Sequence, residues 1–173
     1  MKLREYQNNI AIQAGNKLMA FGCCYLSMEC RTGKTLTALY AADKFNAKSV
    51  LFITKLKAIP SVKSDYIALQ PSFKLEVVNF ESSHKVTGKY DLVIIDEAHS
   101  LGAYPKPSKR TQEIRTICEG LPVLYLSGTP SPESYSQLYH QFWVCSKSPW
   151  KNYKSFYKWA KEYVYTCLLY TSP

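Results

Sequence analysis

Long apolar runs are missing from this sequence. No stretch approaches the roughly 20 uninterrupted apolar residues that a bilayer-spanning helix needs, so no membrane partner is expected. Glycine is scarce, with 7 in 173 residues, which excludes a collagen-like repeat. Acidic residues are outnumbered, 13 against 22 Lys and Arg, leaving a formal net charge of +9. Such an excess favours partners with phosphate backbones, although a merely soluble basic protein has the same balance. There is no internal repeat and no low-complexity linker. The opening MKLREYQNNIAIQAGNK lacks an apolar core of signal-peptide length, so an intracellular location is expected. Metal-ligand spacing is absent too: Cys23 and Cys24 are adjacent, Cys30 follows, and Cys118, Cys145 and Cys167 are scattered without a C-x-x-C pair. These read as reduced thiols rather than bridges or zinc ligands, and His84 and His140 read as structural.

What is present suits one folded domain: 46% of the residues are hydrophobic and 14% aromatic, too many for a disordered tail. Apolar residues at Leu3, Tyr6, Ile10, Ala14 and Leu18 recur every three to four positions and predict a helix from Leu3 to about Phe21. Short apolar runs at Cys23–Leu26, Val50–Ile53, Leu75–Phe80, Leu92–Ile95 and Val123–Leu126 predict strands. Between and after them, helical spacing follows Thr35 and predicts helices over Ser61–Leu69, Ser108–Glu119, Pro132 to about Val144 and Asn152 to about Tyr165. Strands alternating with helices predict an α/β fold, a mostly parallel sheet with helices on both faces. Ligands of such sheets bind at the carboxyl ends of the strands, so the loops after Leu26, Ile95 and Leu126 are expected on one edge.

Those three loops carry the unusual residues. Arg31-Thr32-Gly33-Lys34-Thr35 stands between a strand and a helix, where backbone N–H groups cradle phosphates. Lys34 would reach the β- and γ-phosphates, Thr35 would put its hydroxyl on Mg²⁺, and Gly33 would let the backbone approach. Against G-x-x-x-x-G-K-[ST] the match is incomplete, since Met28 occupies the first glycine position. Asp96-Glu97-Ala98-His99 follows the most apolar strand. Two carboxylates there are costly unless they bind a cation or catalyse, and Asp96 on Mg²⁺ with Glu97 as base for an attacking water is what nucleotide hydrolysis requires. Ser127-Gly128-Thr129-Pro130 ends the last strand with a tight turn and two hydroxyls; by itself that is a plain turn, and beside the other two motifs it is a candidate relay.

LREYQ (Leu3 to Gln7), MECRTGKT (Met28 to Thr35), DEAH (Asp96 to His99) and LSGTP (Leu126 to Pro130) together resemble, in order and spacing, the first RecA-like lobe of superfamily two helicases and translocases. The likeness is strongest to Swi/Snf-type DNA-dependent ATPases of bacteriophages and bacteria, and it covers nearly all of residues 1–166. It implies a single P-loop domain that uses ATP and Mg²⁺ on nucleic acid, with double-stranded DNA as the expected partner, in the cytoplasm of a bacterial or phage-infected cell. It further implies that Gln7 reads the adenine edge, with Arg4 or Tyr6 near the base. Arg31 to Thr35 would hold the nucleotide, Asp96 the metal, and Glu97 would be the base. His99, Ser127 and Thr129 would couple nucleotide state to nucleic acid. Thr54 and Lys55 after the second strand, and Phe80 after the third, resemble segments that grip a DNA backbone. A second RecA-like lobe supplying arginine fingers is implied outside residues 1–166.

Two segments remain. Lys147, Lys151, Lys154, Lys158 and Lys161 interleave with Trp150, Tyr153, Phe156, Tyr157 and Trp159, either as a basic aromatic surface for DNA or with the rings packed on the core or on a second lobe. Cys167–Pro173, CLLYTSP, resembles a translated transposase sequencing adaptor, so the natural frame is expected to depart near Thr166. Two functions stay open: an ATP-driven nucleic-acid motor, or a RecA-like module that binds nucleotide or DNA without turnover.

Overall fold

The computed structural model describes residues 3–29 and 31–164; Cys30, Cys167 and the adaptor-like tail lie outside the described residues. Helix α1, Glu5–Phe21, opens the fold and stops at Gly22, whose φ of 68° lets its N–H cap the Leu18 carbonyl at 2.8 Å. The helix is where the periodicity puts it: Ala14 and Leu18 point inward and Ile10 packs against the core as expected, Gln7, Ala11 and Gly15 join them, and Tyr6 is exposed. Small residues win that face because α1 lies close against helix α2, Lys34–Lys44; a Cβ on Gly15 would stand 2.9 Å from the Lys44 Cβ and 3.1 Å from its backbone.

Strands β1, Cys23–Ser27, β2, Ser49–Thr54, β3, Lys74–Asn79, β4, Leu92–Ile95, and β5, Val123–Ser127, form one five-stranded, all-parallel sheet in the order β1-β5-β4-β2-β3. The sheet divides the core in two. Phe52, Ile94, Leu124 and Leu126 face α1, α2 and α3, Ile59–Leu69. Their neighbours Ile53, Val93, Ile95 and Tyr125 face Ile114 of α4, Lys109–Ile117, and Val144 at the end of α5, Gln137–Trp143. Burial on both faces is why β4 reads as an unbroken Leu-Val-Ile-Ile run rather than an alternating one. The chain is thus a single α/β domain of RecA-like architecture. Among the described residues no helix is long and apolar enough to cross a membrane.

Two helices are shorter than their periodicity predicts. Helix α5 starts at Gln137 instead of Pro132, because the Gln137 side-chain oxygen accepts the Glu133 and Ser134 N–H groups at 3.0 and 3.3 Å and satisfies them without a helical turn. Helix α6, Phe156–Tyr163, starts after Ser155, which accepts the Lys158 N–H at 3.3 Å as an N-cap. Its aromatic residues pack inward: Trp159 is fully buried, 5.4 Å from Tyr139 and 5.0 Å from Trp150 between ring centroids, while Tyr157 is exposed.

His140 of α5 is a buried group whose titration enters the stability of this packing. Desolvation pushes its imidazole below the usual 6.5, the Arg115 charge adds to that, and the Ala103 carbonyl, 2.8 Å from Nδ1, partly opposes it. The folded value is the lower one, so the contribution is complete above pH 6.5 and is lost as the pH falls from there through the folded value. Thermal denaturation against pH should show an acid limb of at most ~1.4 kcal/mol per pH unit in this window. His140→Asn, which keeps a donor for Ala103, should flatten that limb. An unchanged limb would assign the acid sensitivity elsewhere.

Candidate functional site

Parallel pairing in register brings the carboxyl ends of the strands to one edge: Ser27 stands beside Ser127, and Ile95 beside both Ile53 and Tyr125. The GKT loop, the acidic pair and the SGTP turn leave the sheet there side by side. Met28 ties the first loop to the last strand, its N–H donating to the Ser127 carbonyl at 3.2 Å.

The phosphate-type loop is built by two left-handed residues, Arg31 at φ 64° and Gly33 at φ 79°, with Gly33 as the N-cap of α2. Thr32 braces the turn by donating its hydroxyl to the Glu29 carbonyl at 2.7 Å. Glycine at 33 has a reason beyond approach to a ligand: a Cβ there would come within 2.2 Å of the Gln7 amide nitrogen. Gln7 is buried against the loop, accepting the Arg4 N–H at 2.9 Å and donating to the Thr32 carbonyl at 3.0 Å, which the Tyr6 hydroxyl also reaches at 2.9 Å. The structure therefore brings Gln7 to the loop as a brace, a contact that the spacing of LREYQ does not disclose. Lys34 crosses the loop, and its ammonium donates to the Met28 carbonyl at 3.2 Å. Thr35 follows it on the first turn of α2, half-buried.

Asp96 continues β4, its N–H donating to the Ile53 carbonyl at 2.9 Å. Its carboxylate accepts from the Thr54 hydroxyl at 2.8 Å and from the Glu97 N–H at 2.9 Å. Burial pushes this carboxyl above its ordinary range and the Glu97 charge adds to the rise, while those two hydrogen bonds and Lys34 pull the other way. The carboxylate oxygens of Asp96 and the hydroxyl of Thr35 are hard donors of the kind that Mg²⁺ takes. Glu97 adopts φ 52°, which swings its side chain away from the strand direction. One carboxylate oxygen lies 3.3 Å from His99 Nδ1 and the other 4.0 Å from Lys55 Nζ. The same His99 nitrogen is 2.9 Å from the hydroxyl of fully buried Ser127, which also accepts the Thr129 N–H at 3.1 Å. A continuous polar chain thus runs from Lys55 through Glu97 and His99 to the SGTP turn.

The residues proposed from sequence to grip nucleic acid divide differently. Lys55 is exposed at the edge. The Thr54 side chain is fully buried and committed to Asp96, so it belongs with the acidic pair. Phe80 is buried under Arg110, whose guanidinium stands 5.1 Å over the ring, because β3 ends at Asn79 and the chain turns Phe80 into the core.

Sequence reasoning missed the support beneath the SGTP turn. Gln141, fully buried on α5, donates to the Pro130 carbonyl at 2.7 Å and to the Gln137 carbonyl at 2.9 Å, and accepts the Tyr25 hydroxyl at 2.7 Å. It holds the turn to β1 and α5 at once. The available signal was a pair of glutamines one helical turn apart, Gln137 and Gln141, on an otherwise aromatic helix.

No protein-family model and no curated protein sequence matches the chain. Among solved structures, the fold is similar to a nuclease-deletion mutant of the Type ISP restriction-modification enzyme LlaGI in complex with a DNA substrate mimic, with a TM-score of 0.55 and 16% sequence identity. The superposition covers 80% of this chain and 19% of that one, so the chain spans about a fifth of the length of the enzyme it matches.

Proposed function

We propose that residues 1–166 are the ATP-binding first lobe of a nucleic-acid-dependent ATPase, a helicase-like translocase of the Swi/Snf type that moves on duplex DNA in a bacterial or phage-infected cytoplasm. The observation that carries this reading is the meeting of Lys34, the Asp96–Glu97 pair and the His99–Ser127 contact on one sheet edge. In it, the loop from Arg31 to Thr35 holds the triphosphate, with Lys34 against the charge of the β- and γ-phosphates. Thr35 and Asp96 are the residues that would hold Mg²⁺, which when bound supplies charge neutralisation at those phosphates. Glu97 orients the attacking water and accepts its proton. His99, between Glu97 and Ser127, makes the protonation and position of Glu97 felt at the SGTP turn and through it at Gln141 and α5.

The likeness to a restriction-modification enzyme in complex with a DNA substrate mimic agrees with this reading at the level of fold. The four ordered motifs and the +9 charge favour nucleic acid over another polymer. Such motors hydrolyse ATP between two lobes, and a missing trans arginine costs on the order of 10³ to 10⁵ in rate. The test is ATP hydrolysis by the protein encoded by the parent gene, measured with and without duplex DNA. The reading expects hydrolysis stimulated by duplex DNA, and turnover lower by that factor for residues 1–166 alone. Absence of stimulated hydrolysis in a protein that binds ATP would favour the non-hydrolysing module.

A further inference from the structure

At the opposite end of the strands from the Lys34–Asp96 edge lies a cavity of about 360 Å³ between the end of α4, the end of α5 and the segment leading to α6. Ser146, in its wall, accepts the Gly120 N–H at 3.2 Å just ahead of β5, so the cavity belongs to the amino ends of the strands. Its wall holds three cations, Arg115, Lys151 and Lys154, and four aromatic rings, Tyr139, Trp143, Trp150 and Tyr153. No carboxylate lines it, and among the described residues none of the three cations makes an ion pair. Two acidic groups stand beside it: Glu119 lines the adjoining groove that shares Arg115 and Ser146 with the cavity, and Glu162 accepts the hydroxyl of Tyr153.

Three like charges in a concave wall raise the local potential and draw an anion. The Arg115 guanidinium is already oriented, 3.7 Å from the centre of the Trp143 ring, and a planar guanidinium held in that way presents its outer N–H groups as a fork for phosphate. A bare phosphate has no use for the rings, and an aliphatic anion has little. A base stacked on Trp150 or Tyr153 with its phosphate on Arg115 uses both, and the volume falls in the range of small-molecule sites. We propose that this cavity is a second nucleotide site, separate from the triphosphate loop, that takes one nucleoside monophosphate unit, either free or as part of a single strand. It makes use of the interleaved lysines and aromatic residues that the ATP-binding edge leaves unused.

All 3 tryptophans of the chain, Trp143, Trp150 and Trp159, lie in or beside this cavity, so intrinsic fluorescence reads it directly. The full chain is titrated with thymidine monophosphate, oligothymidylate and inorganic phosphate. Saturable quenching is expected with the first two, at affinities at least tenfold tighter than for phosphate and weakening with salt. Arg115→Ala should lower the affinity at least tenfold. Lys151→Ala with Lys154→Ala, at exposed positions whose loss leaves the core intact, should do so even if Arg115→Ala unfolds. Oligothymidylate binding more tightly per site assigns the strand as the source, equal affinities assign the free nucleotide, and both support the site. Absent quenching, phosphate binding as tightly as the nucleotide, or unchanged affinity in the lysine double variant would overturn it. Lys34→Ala is expected to leave this titration unchanged, so failure here leaves the ATPase reading standing, and the reverse.

Discussion

Glu97→Gln in the lobe-complete protein should keep Mg²⁺-ATP binding within a few-fold and lose about 10² to 10⁴ of its hydrolysis rate, the usual worth of a positioned general base. Glutamine has the same length and can occupy the φ of 52° as glutamate does, so the fold and the shape of the edge are preserved. What disappears is the acceptor for the proton of the attacking water. The variant also removes the charge that faces His99 at 3.3 Å and Lys55 at 4.0 Å, so the link to the SGTP turn should weaken along with the chemistry. Two measurements separate the effects: single-turnover hydrolysis reads the base, and the ATP dependence of DNA affinity reads the link. Normal turnover would remove Glu97 from the role of base, and Asp96 would then be the carboxylate to examine. Loss of ATP binding together with hydrolysis would instead mean that Glu97 holds the nucleotide.

The elements of this fold were legible wherever burial alone decides structure. The Leu92–Ile95 run is a strand because both of its faces are covered, and the sequence shows that directly as an unbroken apolar stretch. Helix α1 was legible as a helix and only partly in its facing. Its periodicity marks Ile10, Ala14 and Leu18, which pack on the core, and Tyr6, which is exposed; Ala11 and Gly15 are selected by close packing against α2, and only the partner helix reveals that choice. Helix starts were hidden for a related reason: Gln137 and Ser155 satisfy backbone N–H groups with side chains, which periodicity does not register.

At the site, the motif residues came together because motifs encode which loops share an edge. Side-chain partners did not follow from them. Thr54 reads, by resemblance, as part of a segment that grips a DNA backbone, yet β2 lies beside β4 and its hydroxyl meets Asp96 at 2.8 Å. Gln141 belongs to no motif, because its work is to hold another loop in place, and its one-turn spacing from Gln137 does not say which loop. Motifs thus mark loops that share an edge, and the residues that hold those loops from beneath carry no such mark.

Lys34→Ala should weaken triphosphate binding by about tenfold to a hundredfold and leave adenosine binding nearly unchanged, since a hydrogen bond to a charged group contributes about 1.5–3 kcal/mol and adenosine offers Lys34 no charge. The geometry supports a specific loss. The Lys34 ammonium spans the loop and donates to the Met28 carbonyl at 3.2 Å, one neutral partner for a group with three N–H donors, so its other donors and its charge are directed to whatever the loop encloses. The loop itself does not depend on Lys34 for its shape. Gly33 takes its φ of 79° as the N-cap of α2, and Thr32 is held by the Gln7 amide on its carbonyl and by its own hydroxyl on the Glu29 carbonyl, so the variant should melt within a few degrees of the parent chain. Calorimetric titration with ATP, ADP and adenosine gives the comparison, and the loss should grow with the number of phosphates. Equal losses for ATP and adenosine would place the GKT loop away from the phosphates, and with it would fall the assignment of Thr35 and Asp96 to the metal.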